Sequence, residues 1–208
     1  MSAQPDLGLL GQSMLIGLTI AAPVGPIGVL TIQRTLRWGA RAGLATGLGA
    51  AVVDALYGAI GAFGVTAVID GLIQARRPLA LVGAVFLLWL AWRSWRAAPA
   101  LAATTRAAAP RLWSCFASTL VLTLSNPATI LSFIAIFGAL GARLQTSSPG
   151  LMVLGVLAGS ALWWLLLCGV VAHLRERFDA LWRSAVNRLS ALLLAAFALW
   201  QLLGLVLA

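Results

Sequence analysis

Lysine is absent from the sequence, acids number only five, and charged side chains occupy 9% of its 208 positions. Soluble domains carry roughly a quarter charged residues, so this scarcity excludes a globular fold in water. The 62% apolar share and a mean hydropathy of +1.00 make lipid the natural solvent. Cysteine is scarce too: Cys115 and Cys168 both stand in apolar stretches, which gives neither a disulfide framework nor a C-x-x-C metal spacing. There is one histidine, His173, and no H-E-x-x-H, G-x-S-x-G or G-x-x-x-x-G-K-S/T pattern. Zinc hydrolysis, hydrolase-type serine chemistry and ATP-driven pumping by this chain are thereby excluded. Ser160 and His173 lie thirteen residues apart on one predicted helix, about 20 Å at 1.5 Å per residue, too far to act together. The sequence predicts no catalytic residue, no metal site and no cofactor, so the chain is not expected to be an enzyme.

Charge is also missing locally. None occurs in 7–33, 112–142, 144–174 or 189–208, each long enough to cross about 30 Å of hydrocarbon as a helix. The stretch 43–69 is apolar apart from Asp54, and 78–95 is a shorter run closed by Arg93 and Arg96. These runs are continuous, without the alternation of barrel strands, and predict an all-α integral membrane protein with six transmembrane helices. The opening M-S-A-Q-P-D has no basic segment, so the first run is read as a span and not as a signal peptide.

What charge there is sits asymmetrically. Arg34, Arg37 and Arg41, then Arg93, Arg96, Arg106 and Arg111, then Arg175, Arg177, Arg183 and Arg188 fall in the first, third and fifth loops, and only Arg76, Arg77 and Arg143 in the loops between. The positive-inside rule puts the first set in the cytoplasm and both termini outside. The net charge of +9 then reports topology, not a nucleic-acid partner. Trp38, Trp95, Trp113 and Trp182 fall near the expected interfaces, His173 is expected to snorkel at a helix end, and Gln33 to sit at a helix interface.

The chain reads as one membrane domain, 1–208, with an Ala-rich cytoplasmic connector, 97–111, between a half spanning 1–96 and a half spanning 112–208. Three helices in each half is an odd number, so similar halves must be inverted relative to each other. The first span is interrupted by Pro23, Gly25, Pro26 and Gly28 in A-A-P-V-G-P-I-G, and the fourth by Ser125, Asn126 and Pro127 in L-S-N-P-A-T. The second and fifth spans carry Gly43 with Gly47 and Gly155 with Gly159, small-xxx-small faces suited to close packing within the chain or in a homodimer.

Proline removes a helical hydrogen bond and frees polar backbone groups that lipid cannot satisfy. A half-helix beginning at such a break turns free N–H groups and the positive end of its dipole toward an anionic group. The two breaks thus predict a midplane carboxylate site; as simple packing kinks they would carry no site. Asp54 is the one ionisable residue deep in a span, about 22 Å from a boundary near Gly39. It must be protonated, partnered or facing water, which suits proton coupling, a substrate ammonium, or a hydrogen-bonded packing role. Ser125 and Asn126 suit capping or substrate contact. Of the pair Trp163 and Trp164 at mid-span, Trp163 is taken as a cation-attracting wall, with core packing or lipid contact as the alternative.

With the motifs A-P-V-G-P-I-G, R-W-G-A-R-A-G-L-A-T-G-L-G-A-A-V-V-D and L-T-L-S-N-P-A-T-I-L-S-F in hand, the sequence resembles the LysE/RhtB family of bacterial amino-acid exporters over nearly its whole length. The resemblance implies an inner-membrane, multi-pass protein that exports small amino acids using the proton-motive force. It also implies that Pro23, Gly25, Pro26, Asp54, Asn126 and Pro127 form the translocation centre. In family members that export basic amino acids an acid follows the Asn-Pro pair, where this chain has Ser132, and F-I-A-I-F-G-A-L lacks the Pro-Gln signature of many neutral exporters. The expected function is export of a small amino acid or related zwitterionic solute in exchange for protons, with lipid as the surroundings. The other classes are a cation transporter or channel using Asp54, and a non-transporting membrane scaffold.

Overall fold

A computed structural model describes residues 7–23, 25–63, 71, 74–96, 111–126, 129–133, 148–174 and 180–207. Regular structure among them is helical throughout: α1 (Leu7–Ala21), α2 (Pro26–Trp38), α3 (Ala40–Ala62), α4 (Arg76–Trp95), α5 (Leu112–Leu124), α6 (Pro149–Leu174) and α7 (Ala180–Leu207). Four of these, α3, α4, α6 and α7, are long and apolar enough to cross a membrane, and the bent pair α1 and α2 adds a fifth if taken as one span. Large apolar side chains such as Val52, Val85, Leu166 and Leu203 point outward, a surface that requires lipid.

The first break falls where its sequence predicts. α1 ends at Ala21, α2 starts on Pro26, and the two axes differ by 81°. Proline suits the first helical position because the N–H it lacks would be unbonded there. α5 stops at Leu124, and the chain is helical again over 129–133, where Thr129 and Ile130 donate to the Asn126 carbonyl.

Two expectations need correction. No loop holds Arg34, Arg37 and Arg41: α2 runs on to Trp38 and α3 starts at Ala40, and Arg34 lies inside α2, 8% exposed. The reversal into α3 takes one residue, Gly39, at φ 94°, a left-handed conformation that glycine adopts without a Cβ penalty. The final helix begins at Ala180, upstream of the charge-free run from 189, because arginines such as the exposed Arg188 ride a helix with their heads in the polar layer. Most of the connector, together with Pro127, Arg143 and the Trp182 side chain, lies outside the described residues.

Helix directions follow from residue contacts. α3 and α6 are antiparallel, since Gly43 faces Cys168 and Gly58 faces Val156. α4 and α7 are antiparallel too: Gln201 donates to the Ala80 carbonyl near one end, and Gln33 bridges Ser94 and Asn187 near the other. α3 runs parallel to α5, with Gly49 on Phe116 and Tyr57 on Leu124, and α1 parallel to α6, with Leu10 on Gly155 and Met14 on Gly159.

The glycine faces are consumed within the chain. Gly47 packs on the Trp164 ring, Gly43 on Thr35 and Cys168, and Gly155 and Gly159 on the carbonyls of Leu10 and Met14. Having no exposed surface left, these faces are not free to build the homodimer that the pattern also allowed. A Cβ at 159 would overlap the Met14 backbone, which a side-chain rotation cannot relieve. Gly159→Val is therefore expected to separate α1 from α6 and cost about 1–3 kcal/mol, read as a lower thermal midpoint in detergent; an unchanged midpoint would contradict the observed contact.

Candidate functional site

The two breaks open on one cavity of about 250 Å³. From the first break come Pro23, Gly25, Pro26 and Gly28; from the second come Asn126 and, beyond it, Thr129 and Ser132. No side chain caps the start of α2, whose Gly25 N-cap is extended. Both second half-helices therefore begin at the cavity, and with them the positive ends of their dipoles.

Asp54 reaches the same cavity from α3. It is 3% exposed, and its Oδ2 accepts a hydrogen bond of 2.7 Å from Ser160 Oγ on α6. Small neighbours make this possible: Ala50, one turn before it, is nearly fully buried, and Gly47 lets Trp164 lie against α3. Among the described residues Asp54 is the only acid, and no cluster suits a metal ion.

One turn on from Asp54, Tyr57 donates 3.0 Å to the Leu124 carbonyl. That carbonyl belongs to the last turn of α5, where helix carbonyls run out of helical donors, so the tyrosine covers polar backbone at the break. α7 closes the remaining side with Phe197, Trp200 and Gln201, the last anchored at 2.6 Å to the Ala80 carbonyl.

The expected residues divide as follows. Pro23, Gly25, Pro26, Gly28, Asp54 and Asn126 meet at the cavity. Ser125 does not line it; its Oγ donates back to the Val121 carbonyl at 2.6 Å, closing the end of α5. Trp163 does not line it either and packs half-buried against the apolar core, whereas Trp164 forms the wall. Pro127 lies outside the described residues. Sequence reasoning missed Tyr57, Ser160 and Gln201. Position offered a hint for the first, three residues from Asp54 and so on the same helical face; for Ser160 and Gln201 the sequence offered none.

The family model of LysE type translocators matches residues 18–204, from the end of α1 through both breaks to the end of α7. The chain belongs to the LysE type translocator family. That family is one of transport proteins. The chain's relatives include the uncharacterized membrane protein YahN of Escherichia coli K12, 31% identical over 175 residues, which are 82% of this chain and 78% of that one. The arginine exporter protein ArgO of Enterobacter sp. strain 638 is 28% identical over 172 residues, covering 80% and 79%. The chemotactic transduction protein ChpE of Pseudomonas aeruginosa is 28% identical over 186 residues, covering 85% and 88%. No solved structure matches this LysE type translocator.

Proposed function

We propose that the chain is a secondary exporter of the bacterial inner membrane that moves a small zwitterionic amino acid out of the cytoplasm in exchange for protons. One observation carries this reading: two helix interruptions and the sole described acid converge on one cavity. Its volume falls below the roughly 300–1,000 Å³ of drug-sized pockets, which suits a small solute. The carboxylate lies against the starts of the second half-helices, with the unpartnered Trp164 indole N–H as a further donor. Asp54 receives the ammonium or carries the coupling proton.

Six spans in two inverted halves, with both termini outside, complete the proposal. Support comes from the antiparallel pairs α3 with α6 and α4 with α7, the second and third helices of each half, and from a break in the first helix of each. The relatives named as arginine exporters support an amino acid as cargo. A neutral cargo is favoured over a cationic one because the cavity supplies one carboxyl group for the ammonium, while Ser132 occupies the wall where a second acid would hold a basic side chain.

The test is flux of radiolabelled amino acids into and out of proteoliposomes holding the purified chain, with and without an imposed pH gradient. Gradient-dependent movement of a small neutral amino acid is expected. Absence of such flux for every amino acid tried would overturn the assignment.

A further inference from the structure

A second cavity, of about 280 Å³, lies between the end of α2, the end of α4 and the start of α5. Three guanidinium groups line it, from Arg34, Arg37 and Arg93, alongside the hydroxyls of Ser94, Ser114 and Ser118. Its lining contains no acid. Along α5 its nearest wall residue, Ser118, stands five residues before Thr123 of the first cavity, roughly 7.5 Å at 1.5 Å per residue.

The charge at its base is solvated without being neutralised. Arg34 donates to Thr46 Oγ1 at 3.0 Å, the Cys115 carbonyl at 2.9 Å, Thr119 Oγ1 at 3.3 Å and Ser118 Oγ at 2.9 Å, all uncharged acceptors. Arg37 and Arg93 are exposed toward the mouth, held over the faces of Trp38 and Trp89 at 5.2 and 4.7 Å. Among the described residues no carboxylate pairs with any of the three. Like charges gathered around a shared space repel, and Arg93 acts on both of the others. Arginines whose only task is to mark the cytoplasmic side spread their heads into water; these converge on a hollow. A planar guanidinium fork matches the paired oxygens of carboxylate or phosphate, and a buried cation gains most from a counter-ion where water is scarce.

We infer that this second cavity is an oxyanion-binding site, separate from the one at the helix breaks, that takes a phosphate or carboxylate group between Arg34, Arg37 and Arg93. The group comes from a free anion or from an anionic lipid headgroup. The site stands whether or not the chain exports amino acids.

Binding of inorganic phosphate to the full chain in nanodiscs of phosphatidylcholine, followed by titration calorimetry, tests this. Saturable binding is expected, weakened at least tenfold in the double variant Arg37→Gln with Arg93→Gln and unchanged in Arg96→Gln, whose side chain stacks on Trp92 away from the cavity lining. Thermal midpoints check that the variants remain folded, which their exposed positions favour. Repeating the titration with phosphatidylglycerol in the disc separates the sources: competition assigns the site to a lipid headgroup, and an unchanged affinity assigns it to a free anion. Failure of both phosphate and phosphatidylglycerol to bind, or equal loss in the Arg96 variant and the double variant, would overturn the inference.

Discussion

Asp54→Asn is expected to abolish gradient-driven export while leaving the chain folded and inserted. Asparagine keeps the size of the side chain and an oxygen that can still accept from Ser160 Oγ at the observed 2.7 Å. It removes the negative charge and the exchangeable proton. Charge-assisted hydrogen bonds are worth ~1.5–3 kcal/mol, so losing one to the bound ammonium weakens substrate binding by roughly 10–100-fold. Two assays in the same proteoliposomes separate the roles. If Asp54 carries the coupling proton, net flux driven by a pH gradient is lost and passive substrate exchange persists. If it holds the substrate ammonium, both are lost together. Gradient-driven flux equal to that of the unaltered chain would remove Asp54 from the working centre.

Arg34→Met is expected to be the most destabilising of the single changes considered. The guanidinium joins α2 to α3 through Thr46 and to α5 through Cys115, Ser118 and Thr119. Methionine fills similar space and supplies no donor. Part of the loss is offset, because a buried cation no longer has to be kept out of water, and the Cys115 carbonyl retains the hydroxyls of Ser118 and Thr119. A net cost of about 2–4 kcal/mol remains, visible as a fall in the melting midpoint in detergent. Arg34→Lys should fall between the two, since a compact ammonium preserves charge but cannot span the same set of acceptors. A methionine variant as stable as the parent would mean that the helices hold together without this connection.

The contrast between Asp54 and Arg34 explains which parts of the site are legible in a sequence. Proline pairs and a lone carboxylate are chemically costly in hydrocarbon, so Pro23, Pro26 and Asp54 announce themselves. Arg34 is just as costly, yet it lies five residues from the reversal at Gly39 and passes for an ordinary cytoplasmic arginine until α2 is seen to continue past it. Trp163 and Trp164 differ by about 100° around one helix, and nothing local fixes the rotation of α6; the packing of Trp164 on Gly47 does. Ser160 and Gln201 are neutral residues whose roles depend on partners 106 and 121 positions away, so they emerge only once the helices are paired. The helical class itself needed none of this, because uninterrupted apolar runs dictate it.

The single-residue joint at Gly39 has a mechanical consequence. With no slack between α2 and α3, neither rod can tilt without dragging the other, and the Arg34 to Thr46 hydrogen bond fastens them again about one turn into α2 and nearly two into α3. The carboxyl group of Asp54 and the guanidinium of Arg34 thus ride on one stiff hairpin. Flexure has to concentrate at the elbow around Pro23 and Gly25, so a bulky residue placed there would stiffen the joint as well as narrow the cavity that the elbow lines.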